Sequence, residues 1–204
     1  MVEQKRTRIQ IENRRIILNA ALEVFAREGF RGATIDEIAK ASGMSKPNLL
    51  YYFPKKDDIY RTLLESLLDT WLDPLRDLDK DGDPAREIAA YVERKIELAR
   101  DFPMESRLFA NEMVRGAPIL KAVLASDLKA LVDSKADVLR AWMNEGQLAR
   151  VDPHHLIFAI WATTQHYADF DAQVTAVLGT DDEGRFHDAA TSLKQIFLLG
   201  LKPR

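Results

Sequence analysis

The chain has 204 residues, of which 47% are hydrophobic and 30% are charged, and it contains no cysteine. This composition excludes an intrinsically disordered chain, and the lack of cysteine excludes disulfides, thiolate metal sites and a cysteine nucleophile. The net charge of −3 conceals an uneven distribution, because residues 1–60 carry 11 basic and 8 acidic side chains, a net charge of +3, and the remainder carries −6. A basic head on an acidic body favours an anionic partner for the head.

The N-terminal segment Met1–Arg15 is charged and is not followed by the apolar stretch of a secretion signal. No segment reaches the roughly 18 uninterrupted apolar residues of a membrane span. The sequence therefore predicts a soluble protein that stays in the cytoplasm.

Apolar residues recur at helical spacing from Ile9 to Phe25, and Gly29 interrupts the pattern. No stretch alternates apolar and polar residues as a strand does, so the sequence predicts an all-α fold. Glycine and proline breaks delimit about nine helices, at 8–28, 34–41, 45–51, 56–78, 84–101, 103–115, 117–145, 153–178 and 185–200. The composition changes near residue 55, so we expect two domains, residues 1–55 and 56–204.

Two short helices joined by a glycine turn follow the long first helix. Thr34 and Glu37 have the spacing of a capping box, in which each residue satisfies a backbone amide near the other. Gly43 suits the tight turn that follows, Ser45 suits the N-cap of the next helix, and Pro47 fits its first turn. A short helix, a turn and a second short helix predict a helix-turn-helix.

The second short helix carries the candidate DNA contacts. Leu50 and Phe53 are three residues apart and are expected to face the core. The outer faces are then left to Lys46, Asn48, Leu49, Tyr51 and Tyr52. Asparagine pairs with an adenine edge, lysine with guanine or phosphate, and tyrosine hydroxyls with phosphate. The alternative is that these side chains are solvated charges and aromatics that pack a small domain, but the set as a whole favours DNA.

The segment 33–57, ATIDEIAKASGMSKPNLLYYFPKKD, resembles the DNA-binding signature of the TetR family of bacterial regulators. The resemblance implies a helix-turn-helix domain followed by a larger domain that binds an effector and dimerises. It also implies a homodimer that binds palindromic double-stranded operator DNA, mainly as a repressor. By the family pattern, Thr34, the segment 46–52 and Lys56 approach the DNA.

Parts of the body resemble the pyrimidine-responsive members of the same family. These parts are residues 68–75, 106–113, 116–118, 127–131 and 152–170. The resemblance implies that uracil or thymine is the effector and that pyrimidine catabolism is controlled. The sequence departs from the pattern at 110–111 and 175–180, and its N-terminal arm is shorter, so a relative of uracil stays open. A TetR-type repressor that responds to an acyl or hydrophobic ligand is the alternative.

The aromatic and amide side chains of the body are compatible with a small flat ligand. Trp161 and Gln165 are four residues apart and share a helix face, and Trp71 lies on another helix. An indole offers a flat surface, and the glutamine amide offers donors and an acceptor that match a pyrimidine edge. The alternative is that both tryptophans belong to the core and that Gln165 is a satisfied buried amide.

Three further residues are weaker candidates for the ligand site, namely Phe109, Glu112 and Arg115. The alternative, which the sequence favours, is one core aromatic and two surface charges. The four histidines do not form a metal-binding pattern, because His154 and His155 are adjacent and point in different directions on a helix. The sequence therefore predicts no metal site.

The last two predicted helices carry broader apolar stripes than one body needs. Their members are Leu156, Ile160, Tyr167, Val174, Val177, Ala189, Leu193, Ile196, Phe197, Leu199 and Leu201. The TetR resemblance implies that these helices pair with their twins in a dimer. The sequence lacks hydrolase, zinc-protease, P-loop, dinucleotide-binding and deaminase motifs, so an enzyme is not expected.

Overall fold

The computed structural model describes residues 8–203, and the charged residues Lys5 and Arg6 of the predicted N-terminal arm lie outside this range, as does Arg204. Helices alone form the regular structure of the described residues, which confirms the all-α prediction. The helices are α1 Arg8–Gly32, α2 Ile35–Ala41, α3 Lys46–Tyr52, α4 Lys56–Arg76, α5 Pro84–Asp101, α6 Pro103–Val114, α7 Lys121–Val123, α8 Lys129–Asn144, α9 Pro153–Asp169, α10 Asp171–Leu178 and α11 Gly184–Gly200.

The chain forms two compact units that divide between Leu68 and Asp69. The predicted domain boundary after residue 55 falls just before α4, whereas the structural division falls within that helix. We call the first unit the head and the second unit the body.

The head is built on α1, which α2 and α3 follow after a sharp turn. Gly29 has a φ of 67°, which a residue with a side chain adopts only with strain, so the regular part of α1 ends there as predicted. The core of the head contains fully buried apolar side chains from each of its helices. They include Ile17, Phe25, Ile38, Leu49, Phe53 and Ile59.

The body is organised around α5, which packs against α9 and α11. Its inner face repeats at helical spacing and buries Ile88, Val92 and Ile96. Side chains from α8, α9 and α11 complete one hydrophobic core, with Trp142 and Leu193 among them. The indole Nε1 of Trp142 donates to the backbone oxygen of Lys80 at 3.1 Å, so even this core aromatic has its polar group satisfied.

The predicted helix 117–145 begins later and is not uniform. Ala117 has a φ of 52°, which is incompatible with a right-handed helix, so the helical backbone starts at Lys121. A π-helical segment, Leu124–Leu128, then joins α7 to α8. Segments of this kind are frequent at functional positions in helices.

The predicted helix 153–178 is also divided. Phe170 has φ and ψ of −117° and 30°, outside the helical region, and separates α9 from α10. Asp171 in the first turn of α10 pairs with Arg185 of α11 at 2.7 Å, and Arg185 also donates to Thr175 at 3.3 Å. This distant partner holds α10 in its own direction, which is why a local pattern does not reveal the break.

The apolar stripes of the last helices are only partly exposed to solvent. Six of their members are buried within the body: Leu156, Ile160, Val174, Ala189, Leu193 and Leu201. Val177, Ile196 and Leu199 are exposed, at 79%, 61% and 65%. The surplus apolar surface is therefore real but smaller than the sequence suggests.

No helix within residues 8–203 is long and apolar enough to cross a membrane. In the same range, no group of three or more histidine, aspartate or glutamate side chains is placed to hold a metal ion.

Candidate functional site

The helix-turn-helix begins with the predicted capping box. The Thr34 hydroxyl accepts from the amide of Glu37 at 3.2 Å, and the Glu37 carboxylate accepts from the amide of Thr34 at 2.8 Å. The same carboxylate accepts from the Thr34 hydroxyl at 2.7 Å, and these bonds lower the pKa of Glu37. The first residue of the motif is thus fixed at the surface with its side chain already hydrogen-bonded.

The second helix of the motif, α3, has the predicted N-cap and runs from Lys46 to Tyr52, one residue later at each end than the predicted 45–51. Ser45 is its N-cap and accepts from the amide of Asn48, Pro47 lies in the first turn, and Gly43 in the preceding turn has a φ of 68°. The Asn48 side chain is exposed. Asn48 therefore presents its side-chain amide to solvent in the first turn of α3.

The assignment of the two leucines in α3 was wrong. Leu49 is completely buried, whereas Leu50 is only half-buried, so Leu49 packs the head and is not available to DNA. Leu49 and Phe53 are four residues apart and face the core together. In a helix of seven residues, spacings of three and four fit equally well, so the apolar pattern alone does not fix which leucine points inward.

The two tyrosines at the end of α3 are held by α1. The Tyr52 hydroxyl accepts from the side-chain amide of Asn13 at 2.7 Å, and its backbone oxygen accepts from Arg14 at 2.9 Å. Tyr51 is 70% exposed, and its hydroxyl accepts from the Gln10 amide at 3.5 Å.

The two predicted lysine contacts differ in character. Lys46 pairs with Asp36 at 2.8 Å, and both side chains are at least half exposed, so this pair is weak and easily exchanged for phosphate. The Lys56 ammonium donates to the backbone oxygens of Phe30 and Ala33 at 2.6 and 2.7 Å and lies over the Phe30 ring. Lys56 therefore stabilises the turn between α1 and α2, a structural role that the sequence did not indicate.

The body contains a pocket of about 480 Å³ between α6 and α9. Two of the predicted ligand residues, Phe109 and Gln165, line it, together with Arg107, Ala110, Asn111, Met113, Val114, Asp169 and Phe170. The pocket thus combines aromatic and aliphatic walls with one amide and one carboxylate of α9. Such a combination suits a small polar ligand.

The two tryptophans do not line this pocket. Trp71 is 5% exposed and contacts Phe102 edge-on, at 6.4 Å between ring centroids. The Trp161 Nε1 donates to the Tyr91 hydroxyl at 2.6 Å, and burial raises the pKa of Tyr91. Trp161 lines a second, mostly apolar pocket of about 320 Å³ beside the π-helical segment. Although Trp161 and Gln165 share a helix face, they open into different pockets.

Glu112 and Arg115 have other roles than the predicted one. Glu112 is buried, and its carboxylate accepts from the amide of Ile119 at 2.7 Å. It therefore anchors the turn after α6, because its own backbone oxygen also accepts from Ala117 at 2.9 Å. Arg115 caps α6 and is exposed outside the pocket.

A polar cluster of the buried Lys95 and Ser106 and the half-buried Asp169 was not found from the sequence. Lys95 is 2% exposed, and its ammonium lies 5.6 Å from the centroid of the Trp71 ring. Burial lowers the pKa of Lys95 to about 7, and the charge of Asp169 offsets part of this effect. The sequence did indicate that Lys95 is buried, because it shares the helical spacing of Ile88 and Val92 on the inner face of α5.

Asp169 connects this cluster to the pocket between α6 and α9. Its carboxylate accepts from the Ser106 hydroxyl at 2.5 Å and also lines the pocket beside Gln165. Burial raises the pKa of Asp169, whereas the Ser106 hydroxyl and the neighbouring cations, led by Arg107, act in the opposite direction. The arrangement offers a cation, a carboxylate and an indole surface in one region of the body.

Comparison with known families gives two matches that together cover most of the chain. Residues 17–63 match the model of bacterial regulatory proteins of the tetR family, and residues 64–204 match the model of the C-terminal region of YcdC-like proteins. The chain belongs to the TetR family. TetR regulators bind operator DNA and small-molecule effectors, generally as dimers, and this chain is a ligand-responsive regulator of that type.

Among curated TetR proteins, the HTH-type transcriptional regulator RutR of Escherichia coli strain K12 is 46% identical over 202 residues, 98% of this chain and 95% of RutR. The RutR of Shigella flexneri is similar to the same extent. Both are named as regulators of transcription and not as enzymes.

Solved TetR structures share the fold at lower identity. AibR, solved with isovaleryl coenzyme A and operator DNA, matches with a TM-score of 0.72 and 18% identity, over 94% of this chain and all of AibR. The ketosteroid transcriptional regulator KstR2 of Mycobacterium tuberculosis matches with a TM-score of 0.71 and 19% identity, over 100% of this chain and 98% of KstR2.

Proposed function

We propose that this TetR regulator is a cytoplasmic repressor that binds uracil or thymine and thereby controls pyrimidine catabolism. The observation that carries the proposal is the 46% identity to RutR over nearly the whole of both chains. Most of that length lies in the body, so the similarity includes the ligand-sensing part as well as the DNA-binding head.

The chemistry of the body supports a small, flat and polar effector. The pocket between α6 and α9 has an amide from Gln165 and a carboxylate from Asp169. A pyrimidine edge alternates N–H and C=O groups and needs this kind of mixed partner. Phe109 supplies an aromatic surface of the same pocket, whereas Trp71 is buried outside its lining. Trp161 is assigned an indirect role, through its hydrogen bond to Tyr91 of the central helix.

We assign DNA contact to the surface that α2 and α3 form. In this assignment Asn48 reads a base edge, and the remaining contacts go to the phosphate backbone. The phosphate contacts come from Thr34, Lys46, Tyr51 and Tyr52. Lys56 acts by holding the turn between α1 and α2, and Leu49 is removed from the set because it is buried.

The proposed unit of function is a homodimer on a palindromic operator. Exposed apolar side chains on the last three helices support it, with Phe158 at 46%, Ile196 at 61% and Leu199 at 65% exposure. A two-fold dimer presents two copies of α3 to two half-sites. The effector acts by binding one dimer arrangement more tightly than the other, and it shifts the population only by that difference in affinity.

Thermal-shift titration with uracil and thymine, followed by operator release, tests the proposal. Ligands that bind only the folded state must raise its melting temperature. We expect stabilisation by both pyrimidines, and a loss of that stabilisation in Gln165→Ala but not in the exposed control Gln147→Ala. Stabilisation by isovaleryl coenzyme A in place of the pyrimidines would establish the alternative, a TetR repressor for acyl ligands.

A further inference from the structure

Lys95 is in an unfavourable environment that the fold alone does not explain. It is 2% exposed and lies on the apolar inner face of α5, and no hydrogen bond or ion pair of its ammonium is found within residues 8–203. Removing a cation from water without a polar partner is costly, and proteins normally avoid it. A methionine at this position would fill the same space without that cost.

The Lys95 ammonium is not fully enclosed by protein atoms. Among the described residues, the one enclosed polar atom without a partner is Nε of Arg185, so Nζ of Lys95 still borders space that water can enter. The ring of Trp71 forms one side of its surroundings, and Asp169 is the charged group coupled to it. Asp169 in turn lines the pocket between α6 and α9.

We propose that Lys95 and Asp169 determine the specificity of the effector site: Lys95 donates a hydrogen bond to a ring carbonyl oxygen, and Asp169 accepts one from the ring N–H beside that carbonyl. The ligand class is therefore a planar ring with adjacent C=O and N–H groups, an imide or a lactam. This inference rests on the proposed function, because it names how the same site distinguishes its effector.

The Asp169 carboxylate favours a neutral N–H at its own edge of the ring. It repels a carboxylate placed against it, so a carboxylated pyrimidine such as orotate would be accepted only with its carboxylate turned away from Asp169, toward Arg107 of the same pocket. The Ser106 hydroxyl occupies one oxygen of Asp169 at 2.5 Å and orients the carboxylate. A ring carbonyl gives the Lys95 ammonium the acceptor that the unliganded protein lacks, and bonds of this charged type are stronger than neutral ones.

The test pairs changes in the protein with matching changes in the ligand. Lys95→Met removes the ammonium and keeps the length of the side chain, and 2-hydroxypyrimidine and 4-hydroxypyrimidine each lack one carbonyl of uracil. We expect Lys95→Met to weaken uracil binding by about 10- to 100-fold, as for a hydrogen bond to a charged group. The analogue that lacks the carbonyl facing Lys95 binds the unaltered protein more weakly than uracil does. In Lys95→Met this difference in affinity between the analogue and uracil is expected to shrink, because the lysine that would bind that carbonyl is absent.

Asp169→Asn provides the second pair, with 1-methyluracil and 3-methyluracil as ligands that each lack one N–H. In the unaltered protein, methylation at the N–H that faces Asp169 abolishes binding, and we expect Asp169→Asn to reduce that penalty at least tenfold. The exposed control Lys121→Met keeps the affinity for uracil and all analogues. Isothermal titration calorimetry gives each dissociation constant.

The outcomes separate this inference from the proposed function. If the unaltered protein binds no pyrimidine, the proposed function fails. If it binds uracil but Lys95→Met binds uracil and both analogues with unchanged affinity, the proposed function stands and this inference is overturned. The melting temperature of unliganded Lys95→Met separates the two roles of the lysine, since a purely structural lysine would leave the variant less stable.

Discussion

At the scale of single residues, Lys95 shows how a residue that is costly for folding can mark a functional position. Its register on α5 is that of a core residue, and the fold buries it as an apolar side chain would be buried. The tendency of natural proteins to sacrifice some stability at ligand sites is general. Here the cost is confined to one ammonium group, and the effector's acceptor offsets it.

The titration of Lys95 makes a prediction for the unliganded protein. Its pKa in the folded state is lowered to about 7 from the ordinary value of 10.5, so between these values the unfolded chain binds more protons than the folded one. Stability therefore rises with pH across this window, by at most about 1.4 kcal/mol per pH unit from this group. The charge coupled to Lys95 is that of Asp169, which Arg107 and His166 influence in turn.

Urea unfolding of the unaltered protein and of Lys95→Met, from pH 7 to pH 9 without ligand, measures this effect. The unaltered protein is expected to gain stability relative to the variant as the pH rises, and the variant is expected to be the more stable of the two at pH 7. Parallel pH profiles would show that Lys95 does not titrate in this range.

Residue-level prediction from the sequence succeeded where the chemistry is local. The caps at Thr34 and Ser45 and the turn at Gly43 were read correctly, because each depends on neighbours within a few positions. The inward leucine of α3 and the buried Lys95 were missed. For the leucine, the spacing of apolar residues fits either side chain. For Lys95, the register with Ile88 and Val92 did indicate burial, but a lysine is rarely buried, so the pattern alone was not enough.

At the scale of elements, caps and long-range ion pairs decide where the helices begin and end. The capping box of α2 is formed within four residues, so the sequence reveals it. The break between α9 and α10 is held by Arg185 of α11, which is distant in the sequence and therefore could not be foreseen. The late start of the helix before α8 follows from Ala117, whose positive φ no composition rule predicts.

Loss of the first cap gives a test of the head. Thr34→Ala removes the acceptor for the Glu37 amide and is expected to cost about 1 kcal/mol of unfolding free energy. Thr34→Ser keeps the hydroxyl and is expected to restore most of that stability. Thermal unfolding monitored by circular dichroism distinguishes the two variants, and equal melting temperatures would mean that the cap contributes nothing.

The ion pair that fixes α10 gives a test of the body. The Arg185 side chain is 10% exposed, whereas Asp171 is 38% exposed, so Asp171→Ala leaves a largely buried guanidinium without its carboxylate. We expect a loss of about 2 kcal/mol, less than for a pair in which both partners are fully buried. Asp137→Ala, which breaks the exposed pair with Arg140, is the control and is expected to cost less than about 1 kcal/mol.

At the scale of the whole molecule, the basic and acidic parts of the sequence correspond to two units with different functions. The basic head carries the helix-turn-helix of the TetR family, and the acidic body carries the pocket and the exposed apolar surface of the last helices. Family resemblance made the fold and the class of regulator predictable. The grouping of the candidate ligand residues was not predictable, because Trp161 and Gln165 share a helix yet line different pockets, and Trp71 is buried outside both.

The exposed apolar surface of α11 makes a prediction for assembly. Ile196→Glu, at a position 61% exposed in the single chain, is expected to give a stable monomer with weak operator binding, since a charge cannot be buried there without a partner. Sedimentation velocity gives the oligomeric state. A dimer of unchanged stability in this variant would place the dimer contact elsewhere.

In the proposed regulator, a pyrimidine controls DNA binding through the pair Lys95 and Asp169. The most direct test of this control measures the affinity for an operator duplex, selected from random DNA by the protein itself, at increasing concentrations of uracil. We expect uracil to weaken operator binding by the unaltered protein at least tenfold. We expect Lys95→Met to bind the same duplex equally well but not to be released by uracil at those concentrations. Operator binding by the unaltered protein that stays constant at saturating uracil would contradict it.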